Sequence, residues 1–152
     1  MKDRKKSYYL ILIMPILYAL LAYGVAKLVG NNGQYPCGID TLCHLYKGDV
    51  LYQAICDGDW WPIFDPLWYN GVEMMRYWAP LPVYVLAFCQ FFGGGDPMSG
   101  FLVFVMFIFF VGAISWLYVG YKVKRPFFGA FVGILWFFMP NNLIALFYEG
   151  NL

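Results

Sequence analysis

The stretch PLPVYVLAFCQFF, residues 80–92, decides how many times this chain crosses a membrane. It carries no charge and is closed by Gly93-Gly94-Gly95. As a helix it would be about 20 Å long, short of the roughly 30 Å hydrocarbon core of a bilayer. The charges on either side choose between lying flat and crossing. Lys and Arg in short loops stay on the cytoplasmic side. Four of the ten basic residues lie in Met1–Ser7 and three in Lys122–Arg125. If residues 80–92 lie flat, both clusters are cytoplasmic and eight of the nine acids are on the opposite side. If they cross, the second cluster is exported. The charges therefore predict three spans, at 8–29, 98–121 and 126–147, over the alternative of four.

Working outward, the rest of the chain agrees with lipid as its solvent. It is 62% hydrophobic, 22% aromatic and only 12% charged over 152 residues, where soluble domains carry about a quarter charged residues. Tyr8–Val29 holds one charge, Lys27, and would form a helix about 33 Å long. A signal peptide has a shorter apolar core and a small-residue cleavage site. This run ends in KLVGNNG, so an uncleaved span is expected. Pro97–Tyr121 and Pro126–Tyr148 are uncharged. Pro140 removes a backbone donor and Asn141 and Asn142 offer replacement partners, which predicts a kink or an early end there. The fold class is thus an all-α polytopic membrane protein.

Residues 30–97 form the polar part, the first extracytoplasmic loop. It holds Asp40, Asp49, Asp57, Asp59, Asp65, Glu73 and Asp96 against Lys47 and Arg76. Trp60, Trp61, Trp68, Tyr77 and Trp78 suit a membrane–water boundary. Two interfacial helices are expected in this loop, at 40–57 and 80–92, the first ended by the turn Asp57-Gly58-Asp59.

Several classes of function are excluded. A net charge of +1 with no basic patch gives no case for nucleic acid. Cys37, Cys43, Cys56 and Cys89 make no CxxC pair, so neither a zinc site nor a thioredoxin-like site is supported. They read as small buried hydrophobes, or, for Cys37, Cys43 and Cys56, as disulfide partners facing an oxidising compartment.

Chemistry concentrates just after the first span, in GIDTLCHLYKGD, residues 38–49. At about 100° per residue, Asp40, His44 and Lys47 share a sector of roughly 60° on the first loop helix. One face thus carries an acid, the only histidine and an amine. Asp40 also stands where a carboxylate can cap the helix. Both roles for Asp40 stay open on the residues alone.

The order of features resembles the GT-C membrane glycosyltransferases, which use lipid-linked sugars and include protein mannosyltransferases and aminoarabinose transferases. It is more similar to bacterial 6-pyruvoyl-tetrahydropterin synthase-related membrane proteins and to YfhO-like proteins. The matching series is a basic terminus and one span, then Asp40 and His44 as D-x-x-x-H, then Asp57-Gly58-Asp59-Trp60. Pro62, Pro66, Trp68 and Gly71 follow, then Tyr77, Pro80 and the apolar helix Pro82–Phe92. The pterin wording implies no pterin chemistry.

The resemblance implies that Asp40 is the catalytic acid of the first outer loop, a general base on the acceptor or, in some branches, a ligand of a divalent metal. His44 would assist it. On chemical grounds Lys47 and Arg76 are the outer-loop cations able to steady the departing phosphate. Aromatics such as Trp68 and Tyr77 either anchor the loop at the boundary, the favoured role, or stack on the sugar. Glu149 would match the acid of the second outer loop. The implied donor is a polyprenyl-phosphate sugar, and the implied place is a bacterial plasma membrane with the amino terminus cytoplasmic. GT-C enzymes have many more spans than three. The chain is therefore expected to be an amino-terminal fragment, inactive alone, that needs further carboxy-terminal spans or a partner subunit. The alternative is a small non-enzymatic membrane protein that assembles with partners through Gly112, Ala113 or Gly129. A transporter ranks last, because no charge lies within the two later spans.

Overall fold

The computed structural model describes residues 2–30, 38–68, 70–73, 76 and 79–150, the side chains of 2–9 excepted. Its elements are α1 (Lys2–Val29), α2 (Thr41–Cys56), α3 (Pro80–Phe92), α4 (Pro97–Lys122), α5 (Pro126–Phe138), α6 (Pro140–Ile144) and a π-helical turn (Ala145–Glu149). Among the described residues the only extended pairing is a single antiparallel bridge, Asp65 with Val72. Three stretches are long and apolar enough to cross a membrane: Leu10–Val29, Pro97–Lys122 and Pro126–Glu149, with mean hydropathies of 2.0, 2.5 and 1.7. At 13 residues, α3 is not among them.

Local chemistry sets the helix ends. α3, α4, α5 and α6 each begin with a proline, whose missing N–H is no loss at a first helical position. α2 ends as expected at Asp57-Gly58-Asp59. Gly58 takes a φ of 91°, Gly58 N–H donates to Ile55 and Asp59 N–H donates to Ala54. α3 ends the same way, with Gly94 at φ 74° and the Gly95 N–H on the Gln90 carbonyl. Glycine adopts this left-handed turn without a Cβ penalty. α4 closes with the same pattern on Lys124, at φ 59°, among the basic residues that complement a helix carboxy terminus. The break at Met139–Pro140 is present too. Met139 is extended (φ −62°, ψ 120°), as a residue before proline prefers. The Asn142 side-chain amide donates to the Trp136 carbonyl at 3.0 Å, one of those that the break leaves without a helical donor.

The described chain forms two compact units. One comprises residues 1–37 and 105–152. Its seam is made of small residues. A Cβ on Gly129 would lie 2.6 Å from the Gly120 Cα and from the Trp116 carbonyl oxygen. One on Gly133 would meet the Tyr18 hydroxyl, and one on Gly112 the Trp136 indole. Tyr18 is fully buried and donates to the Ala130 carbonyl at 2.9 Å. Backbone therefore approaches backbone where α4 meets α5, the contact that glycine allows in lipid.

The other unit, residues 38–104, packs α2 on α3 around Leu51, Val83 and Ala87. Gly48 lets the Leu86 side chain lie on the α2 backbone. Gln90, 1% exposed, donates to Asp49 Oδ1 at 2.6 Å and to the Gly95 carbonyl at 3.0 Å. A Cβ on Gly100 would fall 2.5 Å from the Gln90 Cα, so the start of α4 lies against the end of α3. Asp96 caps α4 by accepting the Ser99 N–H at 2.7 Å, and this bond holds its carboxyl below the usual range.

Two outcomes follow. Gly129→Ala should lower the melting temperature in detergent by an amount matching about 1–3 kcal/mol of overpacking, while Gly24→Ala, with open space around it, should leave it unchanged. Because the folded pKa of Asp96 is depressed, its contribution is present above the ordinary carboxylate pKa and is lost as pH falls through the folded value. Asp96→Asn should flatten that acid limb of stability, read by melting across pH 2–6.

Candidate active site in the first loop

Asp40 occupies the amino-terminal cap position of α2, at φ −106° and ψ 0°, yet its side chain makes no capping bond. The carboxylate is exposed. The capping role that the residues alone left open is therefore not the one observed. His44 is half-buried one turn on, its N–H on the Asp40 carbonyl at 3.0 Å. Lys47 is 4% exposed and belongs to the buried face of α2 with Thr41, Leu45, Gly48 and Leu51. The sector of Asp40, His44 and Lys47 thus runs from solvent into the packed side of the helix.

Trp68 is brought to the same helix. Its ring lies 4.7 Å from that of Tyr46, tilted by 32°. Asp65, 3% exposed, accepts the Tyr46 hydroxyl at 2.6 Å and the Leu67 N–H at 2.9 Å. Asp65 and Val72 exchange backbone bonds of 2.9 Å in both directions. A loop closed on itself is thereby pinned to α2 through one carboxylate. Burial first, and then the Asp65 carboxylate, push the Tyr46 phenol up to about 12. Sequence reasoning passed over this Tyr46–Asp65 pair. A signal was present in Asn70-Gly71, a strong turn dipeptide that closes the loop and so carries Asp65 inward.

Arg76 pairs with Glu73 at 2.6 Å, and both side chains are well exposed. Together with Trp61 and Ile63 they line a cleft of about 180 Å³. A larger pocket of about 360 Å³ lies between α2 and α3, lined by apolar groups of Ile55, Trp60, Tyr84, Ala87, Phe88 and Phe91. Glu149 is exposed and belongs to the other compact unit. Tyr77 lies outside the described residues, as does Cys37. Cys43 and Cys56 are free thiols, so the alternative reading, a disulfide, does not join those two. Of the described cysteines Cys89 is buried as a small hydrophobe, Cys43 is half-buried and Cys56 is exposed. Among the described residues no three His, Cys, Asp or Glu side chains gather as metal ligands. Among the described residues Asp40 thus has no second and third ligand of these types beside it for a divalent ion.

A family model for the 6-pyruvoyl-tetrahydropterin synthase related domain, a membrane protein, matches residues 75–152. That is 78 of the 152 residues, just over half. The chain belongs to this family. Comparison with curated proteins and with solved structures found no match. The match to the pterin synthase-related domain covers α3 to the end of the chain. It includes Arg76, Tyr77 and Glu149 and begins after Asp40, His44, Lys47 and Trp68.

Removing the Tyr46 hydroxyl would leave a buried carboxylate short of a partner. Tyr46→Phe should cost about 1–3 kcal/mol, read by chemical unfolding in detergent near pH 7. The raised phenol pKa means that Tyr46 contributes below its unfolded pKa, about 10, and that this is lost toward its folded value, about 12. The gap between wild type and Tyr46→Phe should narrow over that window.

Proposed function

We propose that this chain is the amino-terminal part of a GT-C-type membrane glycosyltransferase that takes sugar from a polyprenyl-phosphate donor on the extracytoplasmic side. The observation that carries the reading is Asp40, a carboxylate eleven positions beyond the end of a possible span, exposed and not used as a helix cap. In the proposed reaction the acceptor hydroxyl gives its proton to Asp40 as its oxygen bonds to the anomeric carbon. The bond from that carbon to the phosphate oxygen breaks, and the electron pair leaves with the phosphate. His44, one turn along, steadies the Asp40 carboxylate. Of the two cations, Arg76 is the exposed one. An exposed pair such as Arg76 with Glu73 contributes little, so the guanidinium can exchange the carboxylate for a phosphate. Trp68, held on Tyr46, offers a ring face to the sugar. In this reading Glu149 serves from the second outer loop and the amino terminus is cytoplasmic, in a bacterial plasma membrane. The rival reading, a small assembly protein, is less supported. Gly112 and Gly129 are already occupied by contacts within the chain and are not free for a partner helix.

Asp40→Asn in the full-length protein tests the proposal. The Asp40 side chain is exposed and makes no capping bond, so the isosteric change should leave folding unaffected. Transfer from a polyprenyl-phosphate sugar in membranes should fall by about 100-fold or more. Transfer at the wild-type rate would sink the proposal.

A further inference from the structure

The loop that follows α2 reads WWPIFDPL, residues 60–67. Trp60, Trp61, Ile63, Phe64 and Leu67 are all exposed, Leu67 by 84%. The one charged residue of the run, Asp65, is turned the other way and is 3% exposed, bonded to Tyr46 and to Leu67 N–H. The exposed side chains of the run are therefore all apolar, with Trp61 and Ile63 also lining the cleft shared with Glu73 and Arg76. Charged groups border the run: Asp59 accepts the Trp61 N–H, and Glu73 paired with Arg76 lies beside Trp61 and Ile63.

The backbone of this loop has few donors left for water. Pro62 and Pro66 have no N–H. Trp61 N–H donates to Asp59 Oδ1 at 3.0 Å, Asp65 N–H to the Val72 carbonyl, and Leu67 N–H to Asp65 Oδ1. Five of the eight N–H positions are therefore satisfied or absent. The Trp60 carbonyl accepts the Tyr84 hydroxyl. The N–H groups of Trp60, Ile63 and Phe64 are left for water and headgroup oxygens, which the boundary of a bilayer supplies and its hydrocarbon core does not.

The geometry points to a lipid-inserting wedge: Trp60–Leu67 enters the headgroup–acyl boundary of the bilayer, with Ile63, Phe64 and Leu67 deepest. Lipid is the occupant for three reasons. Stretches able to span flank this unit in sequence, ending at Val29 and resuming at Pro97, so a bilayer surface is within reach at both ends. Paired tryptophans followed by Ile, Phe and Leu are the residue types of that boundary. Finally, an exposed apolar patch with a polar rim is the form of an interaction surface. The depth is that of an interfacial element, about 5–10 Å. Asp65 is then the residue that makes insertion possible, because it folds its charge away from the surface that its neighbours present.

The test is made on the whole chain in phosphatidylcholine vesicles, with native cysteines replaced and an environment-sensitive fluorophore attached at Phe64→Cys, Leu67→Cys or, as control, Glu73→Cys. The labels at 64 and 67 should emit blue-shifted and be quenched by lipids spin-labelled near the headgroup. The label at 73 should be quenched by aqueous iodide. Iodide quenching at 64 and 67 would overturn the wedge. So would a blue shift there that headgroup-labelled lipids do not quench, since protein and not lipid would then cover the loop. A second measurement keeps the native cysteines. Replacing Trp60 and Trp61 with Phe should lower the share of tryptophan emission quenched by brominated lipid. A fall in the iodide-quenched share instead would contradict the inference.

Discussion

The buried amide of Gln90 is the contact on which the architecture of the first loop depends. It donates both to Asp49 on α2 and to the Gly95 carbonyl in the turn beyond α3. One side chain therefore joins two helices and the turn that reverses the chain into α4. A buried amide bonded this way is costly to strip of its partners. Gly48 and Gly100 allow the close approach that brings these groups together. With α3 held on α2 and ended after 13 residues, it is not left as an independent apolar segment free to cross a bilayer.

The two units use different means of cohesion. In residues 38–104, polar groups are tied through carboxylates: Asp49 to Gln90, Asp65 to Tyr46, Asp96 to Ser99. In the unit of α1 and α5, apolar helices approach through glycine, and the buried Tyr18 side chain crosses from one to the other to end on a backbone carbonyl. The division matches the solvents proposed for them. Among lipid chains burial drives little and close packing drives more, whereas near water buried polar bonds specify the arrangement. In the proposed reading Asp40, a carboxylate outside this network, is the one that does chemistry. Asp65, fully engaged, shapes the surface instead.

Much of the fold was legible because it rests on local composition. The three apolar stretches, the turn at Asp57-Gly58-Asp59 and the break at Pro140 each follow from a few adjacent residues. The two short loop helices were legible for the same reason. What sequence reasoning missed involves pairs distant along the chain. Asp49 meets Gln90 across 41 positions, and Tyr46 meets Asp65 across 19. No periodicity marks either pair. The placement of the candidate residues was legible in part: His44 and Lys47 lie on successive turns of α2, and Asp40 stands at its cap position just outside. Their unequal burial was not, because it is set by α3 and by the folded loop rather than by α2 itself.

The central claim is that α3 stays on one side of the membrane, so that the first loop faces away from both basic clusters. Its most direct test is labelling of intact cells with a membrane-impermeant maleimide, read by peptide mass spectrometry at native Cys56 and at Val123→Cys. Cys56 is exposed at the end of α2, and Val123 is exposed in the turn between α4 and α5. The account predicts that Cys56 labels from outside and that position 123 labels only after the membrane is opened. Labelling of both from outside would mean that α3 crosses the bilayer, and the account would fail.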